Sequence, residues 1–161
     1  MFRLFNIKNA ASITRGKDKN GRIVIFWQFA PFKQKNPNGM GQIYDWSKKL
    51  VLMTSLIESL SFAETIKIAY NSSNYTKCGI IHKDKAINVS VGNNNVIYIT
   101  AQQGQTKYPI MVTPAMLLSL VDYLIYTSTK YLDALDDMYT NGNNELNNES
   151  NNTDDTTFDM M

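Results

Sequence analysis

Apolar residues run in short blocks over the first third of the chain, switch to helical spacing after Thr54, return to short blocks, and end in one long helical stripe. Leu4–Thr14 mixes apolar and polar positions and reads as a first strand. It closes on a polar turn, "RGKDKNG" (Arg15–Gly21). "RIVIFWQFA", Arg22–Ala30, is β-branched and aromatic nearly throughout, which predicts a strand buried on much of both faces. Alternation puts Ile23, Ile25, Trp27 and Phe29 on one of its faces, and Arg22, Val24, Phe26 and Gln28 on the other. Pro31 ends it, "KQKNPNGMG" reads as a loop, and a strand from Ile43 to Thr54 follows.

Ser55 and Glu58 have the spacing of a capping box, opening a short helix with Leu56, Ile57, Leu60 and Phe62 as apolar positions. A second series of strands is expected at Glu64–Asn71, Lys77–His82, Ala86–Gly92, Val96–Gln102 and Lys107–Val112. Gly92–Asn95, "GNNN", is the strongest hairpin turn among them. Thr113-Pro114 supplies an N-cap and a first-turn proline for a helix running to about Tyr139, stopped by Asn141-Gly142. Its stripe of Leu117, Val121, Leu124, Ser128, Tyr131, Leu135 and Met138 is widened by Leu120, Ile125 and Leu132. Such a helix either packs on its own sheet alone or also meets neighbouring subunits. The fold class is α+β, strands then helix twice over, with a body over residues 1–140. Residues 141–161 are Asn-rich, acidic and poor in apolar side chains, the composition of a disordered tail.

Charge is segregated along this plan. All 16 Lys and Arg precede residue 131, against six acids, while the remaining residues carry eight acids and no base. A body near +10 thus meets a terminal segment near −8, and only the sum is the modest +2 of the whole chain. A basic body with an acidic tail is a pattern of nucleic-acid partners, and also one of charge balancing for solubility.

Candidate catalytic chemistry is sparse. His82 and Cys78 are the sole histidine and cysteine, so one chain cannot assemble a zinc ligand set or an intramolecular disulfide. No nucleophile elbow, phosphate-binding glycine loop or dinucleotide fingerprint is present. The six acids of the body show no spacing of a two-metal nuclease. The expectation is a protein without catalysis, cofactor or metal. No apolar run approaches the roughly 18 residues of a membrane helix.

What the body does carry is rings beside cations. Binding of a single strand needs aromatic faces for bases and basic groups along the backbone, each stacked base being worth roughly 1–3 kcal/mol. "QIYDWSKKLVL" sets Tyr44 and Trp46 beside Lys48 and Lys49, and strand alternation would place Tyr44, Trp46 and Lys48 on one face. The same run also reads as an ordinary strand end. The candidate surface comprises Lys8, Arg15, Lys17, Arg22, Trp27, Phe29, Tyr44, Trp46, Lys48 and Lys49. Trp27, Phe29 and Phe26 read in the first place as core.

"WQFAP", a loop, "YDWSKK" and then "TSLIESL" resemble, in order and spacing, the Whirly family of single-stranded DNA-binding proteins. Members carry a "QFAP"-like strand end, Tyr-Asp-Trp-(Ser/Glu)-(Arg/Lys)-Lys, and a Ser-capped helix. "YPIMVTPAMLLSLVDYLIYTSTKYL" is similar to the family's last strand, turn and final helix, so the likeness spans roughly residues 5–135. The family's "KGKAAL" signature is met only in part by "IKNAASI", which keeps Lys8, Ala10 and Ala11 but has Asn9 in place of a lysine. The resemblance implies two antiparallel four-stranded sheets packed nearly crosswise, each followed by a helix, with helices at the centre of a homo-tetramer. Single-stranded DNA would lie along the sheets without strong sequence preference, in replication, recombination or repair. Trypanosome mitochondrial guide-RNA-binding proteins are similar to this fold, so RNA stands as the alternative ligand. A third reading is a structural, partner-binding oligomer.

The tail resembles the acidic C-termini of bacterial and phage single-stranded DNA-binding proteins. On that likeness Asp154, Asp155, Phe158, Asp159, Met160 and Met161 would recruit replication or repair proteins, and the acids would compete with DNA. The expected setting is the cytoplasm of a bacterial or phage-infected cell. A mitochondrial one is the alternative, since the N-terminus is basic with no acid before Asp18.

Overall fold

The computed structural model describes residues 1–150, with side chains to residue 133. The first sheet is built from β1 (Phe2–Phe5), β2 (Asn9–Lys17), β3 (Ile23–Lys35), β4 (Gln42–Tyr44) and β5 (Leu50–Ser55), all antiparallel. Helix α1 (Leu56–Ser72) follows. The second sheet has β6 (Gly79–His82), β7 (Lys85–Val91), β8 (Ile97–Gln103) and β9 (Thr106–Val112) in sequential order, and α2 (Pro114–Ser150) follows it. This is the strands–helix, strands–helix plan that the sequence implied.

The first sheet is four strands across although five strands build it. β3 is 13 residues long, and β5 pairs with its Val24–Phe29 part while β4 pairs with Phe32–Lys35. The single strand expected from Ile43 to Thr54 is therefore broken. Asp45 breaks it: its carboxylate accepts from the Ser47 backbone N–H and hydroxyl, folding Trp46–Lys48 into a 3₁₀ turn. A short acidic side chain that bonds its own backbone competes with the ladder in this way.

Alternation on β3 decides what is core. Trp27 lies opposite Ile13 of β2 and Leu52 of β5, and Phe29 opposite Ala11 and Leu50, so both rows face the helices. Trp27 and Phe29 are each 0 % exposed, which removes them from the candidate binding surface. The Trp27 ring meets Phe62 of α1 edge-on at 5.7 Å. Its indole N–H donates to Thr54 Oγ1 at 2.9 Å, Thr54 lies 2.7 Å from Ser59 Oγ, and Ser59 donates to Ser55 O at 2.9 Å. A buried indole N–H left without a partner would cost about 1–3 kcal/mol, so this relay specifies where β5 and α1 sit against β3.

The capping box forms as its spacing predicts: Glu58 N–H donates to Ser55 Oγ at 3.1 Å, and Ser55 N–H to Glu58 Oε2 at 2.8 Å. The helix does not stop early. The strand expected at Glu64–Asn71 is the second half of α1, because Phe62, Ala63, Ile66 and Ala69 fall on one buried stripe. Thr65, Ile66 and Ile68 favour strands in isolation, but that preference is small beside helix burial. The end comes at Ser73, in left-handed conformation with φ 53°.

In the second sheet, Ile87, Val89, Ile97, Ile99, Ala101 and Ile110 face inward and join the first sheet's core through Leu117, Leu120, Val121 and Leu124 of α2. Thr113 caps α2 with Pro114 in its first position, Met116 N–H donating to Thr113 Oγ1 at 3.2 Å. α2 passes the expected stop at Asn141-Gly142 and continues to Ser150, so the boundary expected at 140/141 falls within it. Glycine costs about 1 kcal/mol in a helix, a small penalty once nucleation has already been met.

Polar side chains tie the two sheets together. Asn6 and Asn9 both donate to Pro109 O, at 3.1 and 2.8 Å. Lys85 donates to Val51 O at 2.8 Å, capping the open edge of β5, and His82 Nε2 lies 2.7 Å from Glu58 Oε1. Asn9 is only 6 % exposed, and its carboxamide is spent on Pro109 O. An ammonium group there would lose its water without gaining a counter-charge.

Truncating Trp27 tests this assignment. Trp27→Ala is expected to lower the unfolding free energy by about 3–5 kcal/mol in a denaturant titration. A loss below about 1 kcal/mol would contradict its place at the centre of the core.

Candidate nucleic-acid interface

The face of the first sheet opposite the helices carries a shallow groove of about 470 Å³. Its floor comes from the central strands: Ser12 and Thr14 on β2 and Gln28 on β3. Phe5 of β1, Tyr44 of β4 and Trp46 of the 3₁₀ turn supply aromatic rings, while Arg3 and Lys49 supply positive charge. Arg3, Ser12, Gln28 and Val51 form one cross-strand row, so their side chains share this face by register. No acid is among the groove's lining residues.

The rings are held rather than loose. Tyr44 packs beside Phe5 with centroids 6.0 Å apart, and its hydroxyl donates to Asn6 O at 2.6 Å. Burial raises its phenol pKa, so it stays neutral and a donor. Phe5 and Tyr44 also line a second groove of about 640 Å³, with Lys35 and Met40, along the β3–β4 hairpin. The two rings thus form a ridge between neighbouring grooves. Trp46 is 38 % exposed, and the backbone after it is pinned by Tyr108, whose hydroxyl donates to Lys48 O at 3.0 Å. Hydrogen bonds from Ser47 and the charges of Lys48 and Lys33 outweigh desolvation and hold the Asp45 carboxyl below its ordinary range. That charge is spent on the turn rather than turned toward the groove.

Of the residues expected at the surface, Tyr44, Trp46 and Lys49 come together in one groove. Lys48 is exposed on the same turn and lies 3.8 Å from Asp45. Lys8 is exposed in the β1–β2 turn, next to the segment that Tyr44 anchors. Arg15 stands on the other side of the sheet: it lies opposite Ile25, and its guanidinium sits 4.3 Å from the Tyr131 ring centroid of α2. Lys17, opposite Ile23, shares that helix-side face by alternation. Arg22 is tied into the β2–β3 turn by Asp18 at 2.8 Å. Those three cations do not border the groove. Asp154, Asp155, Phe158, Asp159, Met160 and Met161 lie outside the described residues.

Arg3, Phe5, Ser12, Thr14 and Gln28 were missed as lining residues: Gln28 follows from the parity of Trp27, but Ser12 and Thr14 face outward only because a turn splits the expected strand Leu4–Thr14 into β1 and β2. Phe26, read as core, is instead only half-buried. It occupies the same outer face in a row with Thr14 and Met53, and its ring lies over Gly16. A Cβ at Gly16 would come within 2.6 Å of that ring, so glycine is what lets it lie there.

No family model matches the sequence, and no curated protein matches it. Solved structures do match in fold. WHY3 from Arabidopsis thaliana is 17 % identical over 78 % of this chain and 84 % of its own, with a TM-score of 0.51. WHY1 from Arabidopsis thaliana is 17 % identical over 78 % and 86 %, with a TM-score of 0.51. The plant transcriptional regulator PBF-2 is 18 % identical over 84 % and 93 %, with a TM-score of 0.53. The chain has the Whirly fold, as its Tyr-Asp-Trp run implied.

Proposed function

We propose that this protein binds single-stranded DNA, without catalysis and largely without sequence preference. The observation that carries the reading is the acid-free groove in which Phe5, Tyr44 and Trp46 stand beside Arg3 and Lys49. Rings of that kind take bases face-on whatever their identity, and the cations follow the phosphates. The fold it shares with the plant transcriptional regulator is consistent with this role. Protection of exposed strands in replication, recombination or repair is the process such binding serves. RNA is the alternative ligand, distinguished by direct competition because the 2′-hydroxyl separates the two at a site.

Binding is proposed to occur as a homo-oligomer, with a tetramer as the expected form. Ile57 and Ile68 of α1 and Tyr126 of α2 are large side chains exposed on the helices of the isolated chain, where a further subunit would cover them. The acidic end of the chain is proposed to compete with DNA for the basic body and to recruit replication or repair proteins. That part rests on the charge segregation of the sequence.

Trp46→Ala is expected to weaken oligothymidine binding by roughly 1–3 kcal/mol while leaving the melting temperature near that of the parent. A parallel loss of thermal stability would mean the ring is structural, and stacking by Trp46 would be abandoned. Removing residues 151–161 is expected to tighten binding, most at low salt where charge competition is least screened. Unchanged affinity at every salt concentration would discard the competition.

A further inference from the structure

Non-selective stacking needs only rings and cations, yet the floor of the groove is polar. Ser12, Thr14 and Gln28 are half-buried there on the two central strands, Ser12 directly opposite Gln28. Among the described residues their side chains make no hydrogen bond to the protein, whereas the Tyr44 hydroxyl is already engaged by Asn6 and Gln42. Apolar side chains fit the same face close by, since Ala10 and Ala30, one row away, are fully buried. A floor that served only as a support for rings could be apolar as well.

We propose that Gln28, with Ser12 and Thr14 beside it, reads the hydrogen-bonding edge of a base seated in this groove. The inference rests on the single-strand reading above and specifies which part of the ligand the groove addresses. A base lying against Phe5, Tyr44 or Trp46 would cover the floor and strip water from a carboxamide and two hydroxyls. Each would then need a partner from the ligand, because a covered polar group without one is costly. A phosphate meets that need only in part: it offers acceptors alone, so it would repel the Gln28 carbonyl oxygen and leave it unpaired. A base edge offers an adjacent donor and acceptor, which matches the paired N–H and C=O of one carboxamide. Bases therefore point to the floor and phosphates to the charged rim, and Gln28 is a base-contacting residue.

The test uses the full chain and two labelled oligomers in fluorescence anisotropy: oligothymidine, and the same length with every thymine replaced by difluorotoluene. That analogue keeps the shape and stacking of thymine but loses nearly all its hydrogen bonding. The parent protein is expected to prefer thymine by about tenfold, the effect of one good pair of base contacts. Gln28→Leu is expected to bind both oligomers alike, with an unchanged dependence on salt because no phosphate contact is lost. Ser12→Ala, a smaller change, is expected to narrow the preference and supplies the answer if Gln28→Leu does not fold. Equal or tighter binding of the analogue by the parent protein, or a thymine preference that survives in both variants, would overturn base-edge reading. Failure of the parent to bind either oligomer would instead overturn the single-strand function itself.

Discussion

Trp27 carries the largest side chain of the core, and its indole N–H has one place to go. Thr54 Oγ1 receives it at 2.9 Å, Ser59 lies next in the relay, and Ser55 O ends it at the first residue of the capping box. β3, β5 and the start of α1 are locked to one another by that buried chain of hydrogen bonds. A one-residue slip of β5 would orphan the indole and turn Leu50 and Leu52 out of the core together. Because strand parity is strict, fixing Trp27 inward also fixes Phe26 and Gln28 outward. The groove is the reverse side of the core.

The second contribution comes from breaking the sheet rather than extending it. If Tyr44 to Leu52 had continued as one strand, Trp46 and Lys49 would point to opposite faces. The turn capped by Asp45 abolishes that alternation and brings both to the same groove. Tyr108 reaches across from the second sheet to hold the turn, and Asn6 and Asn9 brace the neighbouring β1–β2 turn against Pro109. The aromatic rim is thus supported by both halves of the fold, while the opposite side of the first sheet is occupied by the helices.

Features that depend on near neighbours were legible in the sequence. The capping box at Ser55, the N-cap and proline at Thr113-Pro114, and the two faces of β3 all formed as local spacing implied. Features set by partners distant in sequence were not. Thr65, Ile66 and Ile68 looked like strand until Phe62, Ala63 and Ala69 showed which stripe α1 buries. Arg15 and Lys17 seemed equivalent to Lys49 as surface cations, but pairing with β3 sends them to the helix side, where Tyr131 meets Arg15. Trp27 and Phe29 are core, as the reading preferred for them has it, and the outward residues of "RIVIFWQFA" beside them are Phe26, which the sequence also placed in the core, and Gln28. Strand parity, fixed by Trp27, decides between two identical phenyl rings.

The central claim is that an acid-free, ring-lined face of this sheet holds single strands. The most direct measurement titrates labelled oligothymidine with the full chain at several salt concentrations, with duplex DNA as competitor. The account predicts binding that weakens as a straight line in the logarithm of salt and that an excess of duplex does not displace. No binding at low salt, or complete displacement by duplex, would contradict it.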